Sequence, residues 1–198
     1  IDVLINCAGV SLFGLLEDND PDAIENLINT NVTATILLTR QLLPFLNKQE
    51  SRILIVGSSF GALGFPGFAA YCASKFALRG FSEALRRELT DSGIQIAHLA
   101  PRATNTPLNN DAVTGLNKAL GNHTDEPEVV AQAIEDLLSL KNIYDINLGL
   151  PERLFIRINA IFPKLIDMAL RKKLPIIRRF ASKQQHEINS KLGSIGPV

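Results

Sequence analysis

Three short apolar runs set the main constraint on this chain: Val3-Leu4-Ile5, Ile53-Leu54-Ile55-Val56 and the stretch 94–99, Ile-Gln-Ile-Ala-His-Leu. All are rich in branched side chains and too short for an ordinary helix. The first two are apolar without alternation, so they read as strands covered on both faces. The stretches between the runs are far longer than hairpin loops and carry helical spacing. Parallel strands need such crossovers, whereas antiparallel neighbours need only a tight turn. The order strand, helix, strand, helix, strand predicts an α/β fold, a doubly wound parallel sheet of right-handed βαβ units.

Local signals place the elements. Asn19-Asp20-Pro21 starts a helix expected over 22–46, with Pro44 near its end. Thr30, Asn31 and Thr33 interrupt its apolar stripe. Mid-helix Asn is unfavourable, so a side-chain role or a local kink is expected there. A Gly/Phe/Pro loop spans 60–68, and a long helix is expected over 71–92, closed by Gly93. The third strand ends before Pro101. Residues 105–124 are polar and Gly/Asn-rich and read as a mobile loop. Thr124 or Asp125 is expected to cap the next helix, with Pro127 in its first turn. Ile146-Asn147-Leu148 reads as a last short strand. There are no internal repeats and no low-complexity tract.

At 198 residues, 46% hydrophobic and 20% charged, the chain has the make-up of one soluble globular domain. Its zero net charge hides an asymmetry. Residues 1–150 hold 10 Lys/Arg and 17 Asp/Glu, a net −7, while 151–198 hold 10 and 3, a net +7. The chain therefore divides into a main α/β unit, 1–150, and a basic helical extension, 151–198. In the extension Leu154, Ile158, Ile161, Phe162 and Leu165 recur at helical spacing among Arg153, Arg157, Lys164, Arg171 and Lys172. Such a basic amphipathic helix lies on an anionic membrane surface or packs on its own domain or a partner subunit. Charges interrupt it too often for spanning. Leu, Ile and Phe between the charges argue against nucleic acid. Residues 184–198 read as weakly structured. Cys7 and Cys72 do not make a disulfide framework. Both are expected to be buried free thiols of a reducing, cytoplasmic compartment, with the extension placing the protein on the inner membrane surface in the membrane-bound version. No signal peptide and no apolar run of about 18 residues is present.

The chemistry-bearing residues are Ser58, Tyr71 and Lys75. Tyr71 and Lys75 stand four apart, which puts them on one helix face. An ammonium beside a phenol stabilises its anion and lowers its pKa from about 10. A phenol so tuned passes a proton to or from a carbonyl or alcohol oxygen. A serine from a neighbouring strand end can hold the same oxygen.

These residues resemble the signature of the short-chain dehydrogenase/reductase family, a serine followed by Tyr-x-x-x-Lys. Three further stretches carry the resemblance in the right order. Asn6-Cys7-Ala8-Gly9 is similar to the family's Asn-Asn-Ala-Gly strand end. Asn31 falls where the family keeps a fourth catalytic residue. The stretch from Pro101 to Thr106 resembles its Pro-Gly-x-x-x-Thr loop. The resemblance implies a Rossmann-like fold and an NAD or NADP cofactor. It implies a small carbonyl or alcohol substrate, apolar or lipid-like if the extension meets a membrane. It implies Ser58, Tyr71, Lys75 and Asn31 as catalytic residues, with Lys75 also on the nicotinamide ribose and Asn31 holding a relay water. Asn6, Ala8, Gly9, Tyr71, Lys75, Pro101, Thr104 and Thr106 become cofactor-binding positions. A homo-dimer or tetramer through the two long helices follows by the same resemblance. The first strands and the Gly-rich phosphate loop, which hold the choice between NAD and NADP, are expected upstream of Ile1.

Two residues depart from the pattern. Cys7 replaces the second asparagine. Arg102 replaces the glycine after Pro101 and is strained if that glycine needs positive φ; it could otherwise reach a phosphate or an acidic substrate. His98 reads as a satisfied core histidine. His123 and His186 lack partners at ligand spacing, so no metal is expected. Two rival readings remain: a non-catalytic remnant acting as an interaction module, and a membrane-surface scaffold.

Overall fold

A computed structural model describes residues 1–47 and 50–193, with side chains described as far as His186. Four parallel strands form one sheet in the order β1 (Val3–Asn6), β2 (Arg52–Val56), β3 (Gln95–Ala100), β4 (Ile146–Asn147). Leu4 stands opposite Ile53, and Ile53 opposite Ile96. The helices are α1 (Pro21–Ile28), α2 (Ala34–Leu42), α3 (Ala69–Glu88), α4 (Asp111–Leu120), α5 (Pro127–Ser139), α6 (Leu150–Ile161) and α7 (Pro163–Gly193).

The sheet is covered on both faces. Ile53, Ile55 and Ile96 point to one side and pack against Leu78 and Leu85 of α3. Leu54, Ala97 and Leu99 point to the other and pack against Leu137 of α5. This is period-two alternation with two apolar partners, the reason β2 reads as a continuous apolar run. β1 is the end strand of the described sheet, and among the described residues Val3 and Ile5 are exposed. The crossovers also differ from expectation. Each strand steps to the same side of its predecessor, yet α3 and α5 lie on opposite faces, so the β3-to-β4 crossover has the opposite hand to β2-to-β3. The usual right-handed rule applies to compact βαβ units. Here two helices intervene and β4 is only two residues long.

The helix expected over 22–46 forms, but in pieces. Asp20 caps it, accepting from Asp22 N at 3.1 Å. A π turn at Asn29–Thr33 separates α1 from α2, and a 3-10 turn at Leu43–Phe45 ends it. The expected kink at Asn31 is that π turn. α3 ends at Glu88, earlier than expected, and Gly93, at φ +72°, serves the turn into β3.

The stretch 105–124, expected as a mobile loop, contains α4. Asn110 caps it by accepting from Val113 N at 3.0 Å, and Gly121 closes it in the left-handed conformation. Its buried face, Ala112, Val113 and Leu116, supplies the stability that its polar composition conceals. Neither Thr124 nor Asp125 caps α5. Glu126 occupies that position without a side-chain bond to the helix N-terminus. The helical extension continues through Gly193, beyond the start of the stretch expected to be weakly structured; residues 194–198 lie outside the described residues. Ile177 and Ala181 of α7 enter the core that holds Phe13, Phe68 and Tyr71.

Candidate active site

The site lies at the C-terminal ends of β1, β2 and β3, where open α/β sheets place their ligands. β2 ends at Val56, and Gly57 N bonds Leu99 O at 2.7 Å. Ser58 follows in extended backbone and accepts from Phe60 N at 3.1 Å. Ser59 N bonds Pro101 O at 2.8 Å, which ties the β2 and β3 ends together. Opposite them α3 presents Tyr71 and Lys75 one turn apart.

Tyr71 is 8% exposed and Lys75 5%. The Lys75 ammonium lies 5.6 Å from the Tyr71 ring centroid. Burial pushes the Tyr71 phenol up to about 12, with hydrogen bonding to Ser58 opposing it. Burial also pushes the Lys75 ammonium down to about 8. The expected lowering of the tyrosine by the lysine is therefore absent. Desolvation disfavours the charged form of each group, and here it wins.

Asn31 is fully buried behind the pair. It accepts from Val10 N at 2.8 Å and donates to Val10 O at 3.0 Å and to Ser74 Oγ at 3.1 Å. Its carboxamide locks the 8–10 turn to α3. A Cβ at Gly9 would stand 3.1 Å from Asn31 Oδ1 and 3.5 Å from Lys75 Nζ, so only glycine leaves this corner open. Asn6 donates to Thr39 Oγ1 at 3.0 Å, bracing β1 on α2, while its buried Oδ1 has no partner among the described residues.

A cavity of about 530 Å³ opens in front of these groups. Gly9, Ser58, Tyr71, Lys75, Pro101, Thr104 and Thr106 lie on its wall, with Cys7, which is exposed and not buried as expected. Asn6, Ala8 and Asn31 do not line it and stand behind or beside it. The rest of the wall is mostly apolar. Phe60, Phe65 and Phe68 come from the 60–68 loop, Leu108 and Leu116 from around α4, and Ile166 and Leu170 from α7. Sequence reasoning missed the wall from α6 and α7. The apolar spacing of those helices was visible, but not the direction in which they face.

Arg102 lies on the same wall. No residue other than glycine has positive φ among those described, so the feared strain is absent. Its Nη2 meets Asp125 Oδ1 at 2.6 Å and its Nε meets Oδ2 at 2.8 Å, a two-pronged pair, with Glu152 at 3.6 Å. Arg102 thus has carboxylate partners within the chain. It holds the Asp125 carboxyl below the usual range. His98, expected to be satisfied, is buried with its Nε2 unbonded among the described residues, and burial pushes it down to about 4. Among the described residues no group of three His, Cys, Asp or Glu side chains gathers as a metal would need.

Comparison with known proteins agrees with this architecture. The family model for short chain dehydrogenases matches residues 1–117. The chain is similar to the 3-ketodihydrosphingosine reductase of Bos taurus, 36% identical over 108 residues, 54% of this chain and 32% of that protein. Against that reductase it spans about a third of the relative's length. It is also similar to the uncharacterized oxidoreductase YusZ of Bacillus subtilis, 32% identical over 200 residues, 88% of this chain and 71% of that one. A short chain dehydrogenase from Burkholderia cenocepacia, solved in complex with NADP, shares the fold with a TM-score of 0.71 at 22% identity, over 86% of this chain and 68% of that one. With residues 1–117 matched and the parallel sheet in place, the chain belongs to the short-chain dehydrogenase family.

Proposed function

We propose that this chain carries the catalytic part of an NAD(P)-dependent oxidoreductase that reduces the carbonyl, or oxidises the alcohol, of an apolar, lipid-like small molecule. The observation that carries the reading is the convergence of Ser58, Tyr71 and Lys75 on one wall of a largely apolar cavity. A relative named for reducing 3-ketodihydrosphingosine fits the same substrate class.

The residues fit the nicotinamide-ribose half of such a cofactor. The Lys75 ammonium is almost fully buried and no carboxylate among the described residues pairs with it, so it suits ribose hydroxyls. Gly9 leaves the corner beside it open. Asn6, Ala8, Pro101, Thr104 and Thr106 frame the same end of the sheet. A nicotinamide bound there supplies or accepts the hydride. The chain's own groups handle the proton. Tyr71, protonated at neutral pH with a phenol near 12, donates it to the carbonyl oxygen. The Ser58 hydroxyl holds that oxygen and stabilises its developing charge. Lys75, near 8, restores the proton to Tyr71, and Asn31 fixes the backbone around it. Oxidation runs the same steps backward. Exposed Leu37, Leu38 and Phe76 on α2 and α3 support a homo-oligomer through those helices.

The test is turnover of the full-length protein with NADH or NADPH and a panel of long-chain ketones. Tyr71→Phe is expected to lower kcat roughly 10²- to 10⁴-fold. Near-normal turnover by that variant would overturn the reading.

A further inference from the structure

α6 and α7 each have two different faces. On the inner side Asn159 Nδ2 donates to Ala62 O at 3.3 Å, and Phe155 and Ile156 line the cavity. Ile166 and Ile177 of α7 are buried against the main unit. Among the described residues the outer side has nothing against it. Leu150, Leu154 and Ile161 fall along one narrow stripe of α6 by helical spacing, and are 78%, 59% and 69% exposed. Arg157 lies along one edge of that stripe and Arg153 further round on the same side, both exposed. Phe162 at the corner, then Leu165 and Met168 of α7, continue the apolar surface. Exposed Lys164 and Arg171 flank it on one side by helical spacing, and Lys172 lies along it. Asp167 is the one exposed acidic side chain from Leu150 to Lys183.

We propose that this outer face of α6 and the first turns of α7 docks on an anionic lipid bilayer. Monomeric soluble proteins rarely leave such a contiguous apolar surface open. Its flanking cations select the occupant. A second copy would bring two sets of like charges face to face. A bilayer with anionic headgroups complements the cations and takes the apolar side chains at the headgroup boundary. No described helix is long and apolar enough to cross a membrane, so the contact is interfacial. The same two helices wall the cavity with their inner faces. Docking therefore sets the cavity beside the lipid, a consequence that rests on the proposed function, whereas the docking itself does not.

The experiment is co-sedimentation of the full-length protein with vesicles of phosphatidylcholine alone and of phosphatidylcholine with phosphatidylserine, at low and high salt. Binding is expected to the phosphatidylserine vesicles, weakened about tenfold or more by high salt or by omitting the anionic lipid. The double variant Leu154→Asp/Met168→Asp is expected to lose about tenfold or more of it. Its helix content and its turnover of a water-soluble ketone should match wild type. The charge reversal Arg153→Glu/Arg157→Glu/Lys164→Glu keeps the apolar groups and is expected to lose anionic-vesicle binding equally. Three results would overturn the proposal: no binding by wild type, unchanged binding by both variants, or a changed oligomeric state in the variants with no vesicle binding by wild type. Turnover of the soluble ketone reads the catalytic proposal separately.

Discussion

At the scale of single residues the site is held against its own stability. An ammonium at Lys75 with a pKa near 8, against an unfolded value of 10.5, costs roughly 3 kcal/mol at neutral pH. The cost is fully present below pH 8 and disappears as pH rises toward 10.5. Lys75→Met should therefore raise the denaturation midpoint of the ligand-free protein at pH 7 while abolishing turnover. An unchanged or lowered midpoint would show that Lys75 is an ordinary structural residue. His98 works in the same direction, in a lower pH window. Buried neutral with its pKa near 4, it contributes stability that is full above pH 6.5 and is lost as pH falls toward 4, roughly 3 kcal/mol in all. Urea titrations across that window should show the loss, and His98→Leu should flatten it. Gly57 explains why the imidazole can sit there: a Cβ at that position would collide with His98 Nε2. The spacing of Tyr71 and Lys75 was readable from sequence because one helix turn sets it. Their pKa values were not, because burial is supplied by neighbours far along the chain.

At the scale of elements the decisive feature is the π turn at Asn29–Thr33. It turns Asn31 inward, where one carboxamide joins the 8–10 turn, α3 and its own helix. Asn31→Ala leaves Val10 N and O without partners and should destabilise by roughly 2–4 kcal/mol. Thermal unfolding and turnover of that variant together check it; a loss of turnover with an unchanged melting temperature would assign Asn31 a chemical rather than a bracing role. The interrupted apolar stripe of 22–46 signalled a kink, since Thr and Asn break the helical pattern locally. α4 gave no such signal. Its polar residues read as loop, and only the packing of Val113 and Leu116 against the core makes it a helix.

At the scale of the whole molecule, Arg102, Asp125 and Glu152 join the β3 end, the start of α5 and α6 across the cavity mouth. Asp125 is buried, and its carboxyl is held low by Arg102, so the pair's contribution is present above pH 4 and lost as pH falls below it. Asp125→Asn leaves Arg102 underpaired and should cost roughly 3 kcal/mol, read by chemical denaturation at pH 7. A cost below about 0.5 kcal/mol would mean that the pair behaves as a solvent-exposed one. The departure of Arg102 from the family glycine was visible in the sequence; its partners, 23 and 50 positions away, were not.

The sequence by itself determined the alternation of strands and helices, the parallel sheet and the catalytic candidates. Those rest on periodicity and on spacing within single elements, which local chemistry dictates. Tertiary structure decided the rest: that the last crossover reverses hand, and that α6 and α7 wall the cavity with one face while baring the other. It also decided that burial, opposed by the Ser58 hydrogen bond, sets the tyrosine. Each of these depends on which distant residues share one volume, and desolvation and packing act only after the chain has brought them together.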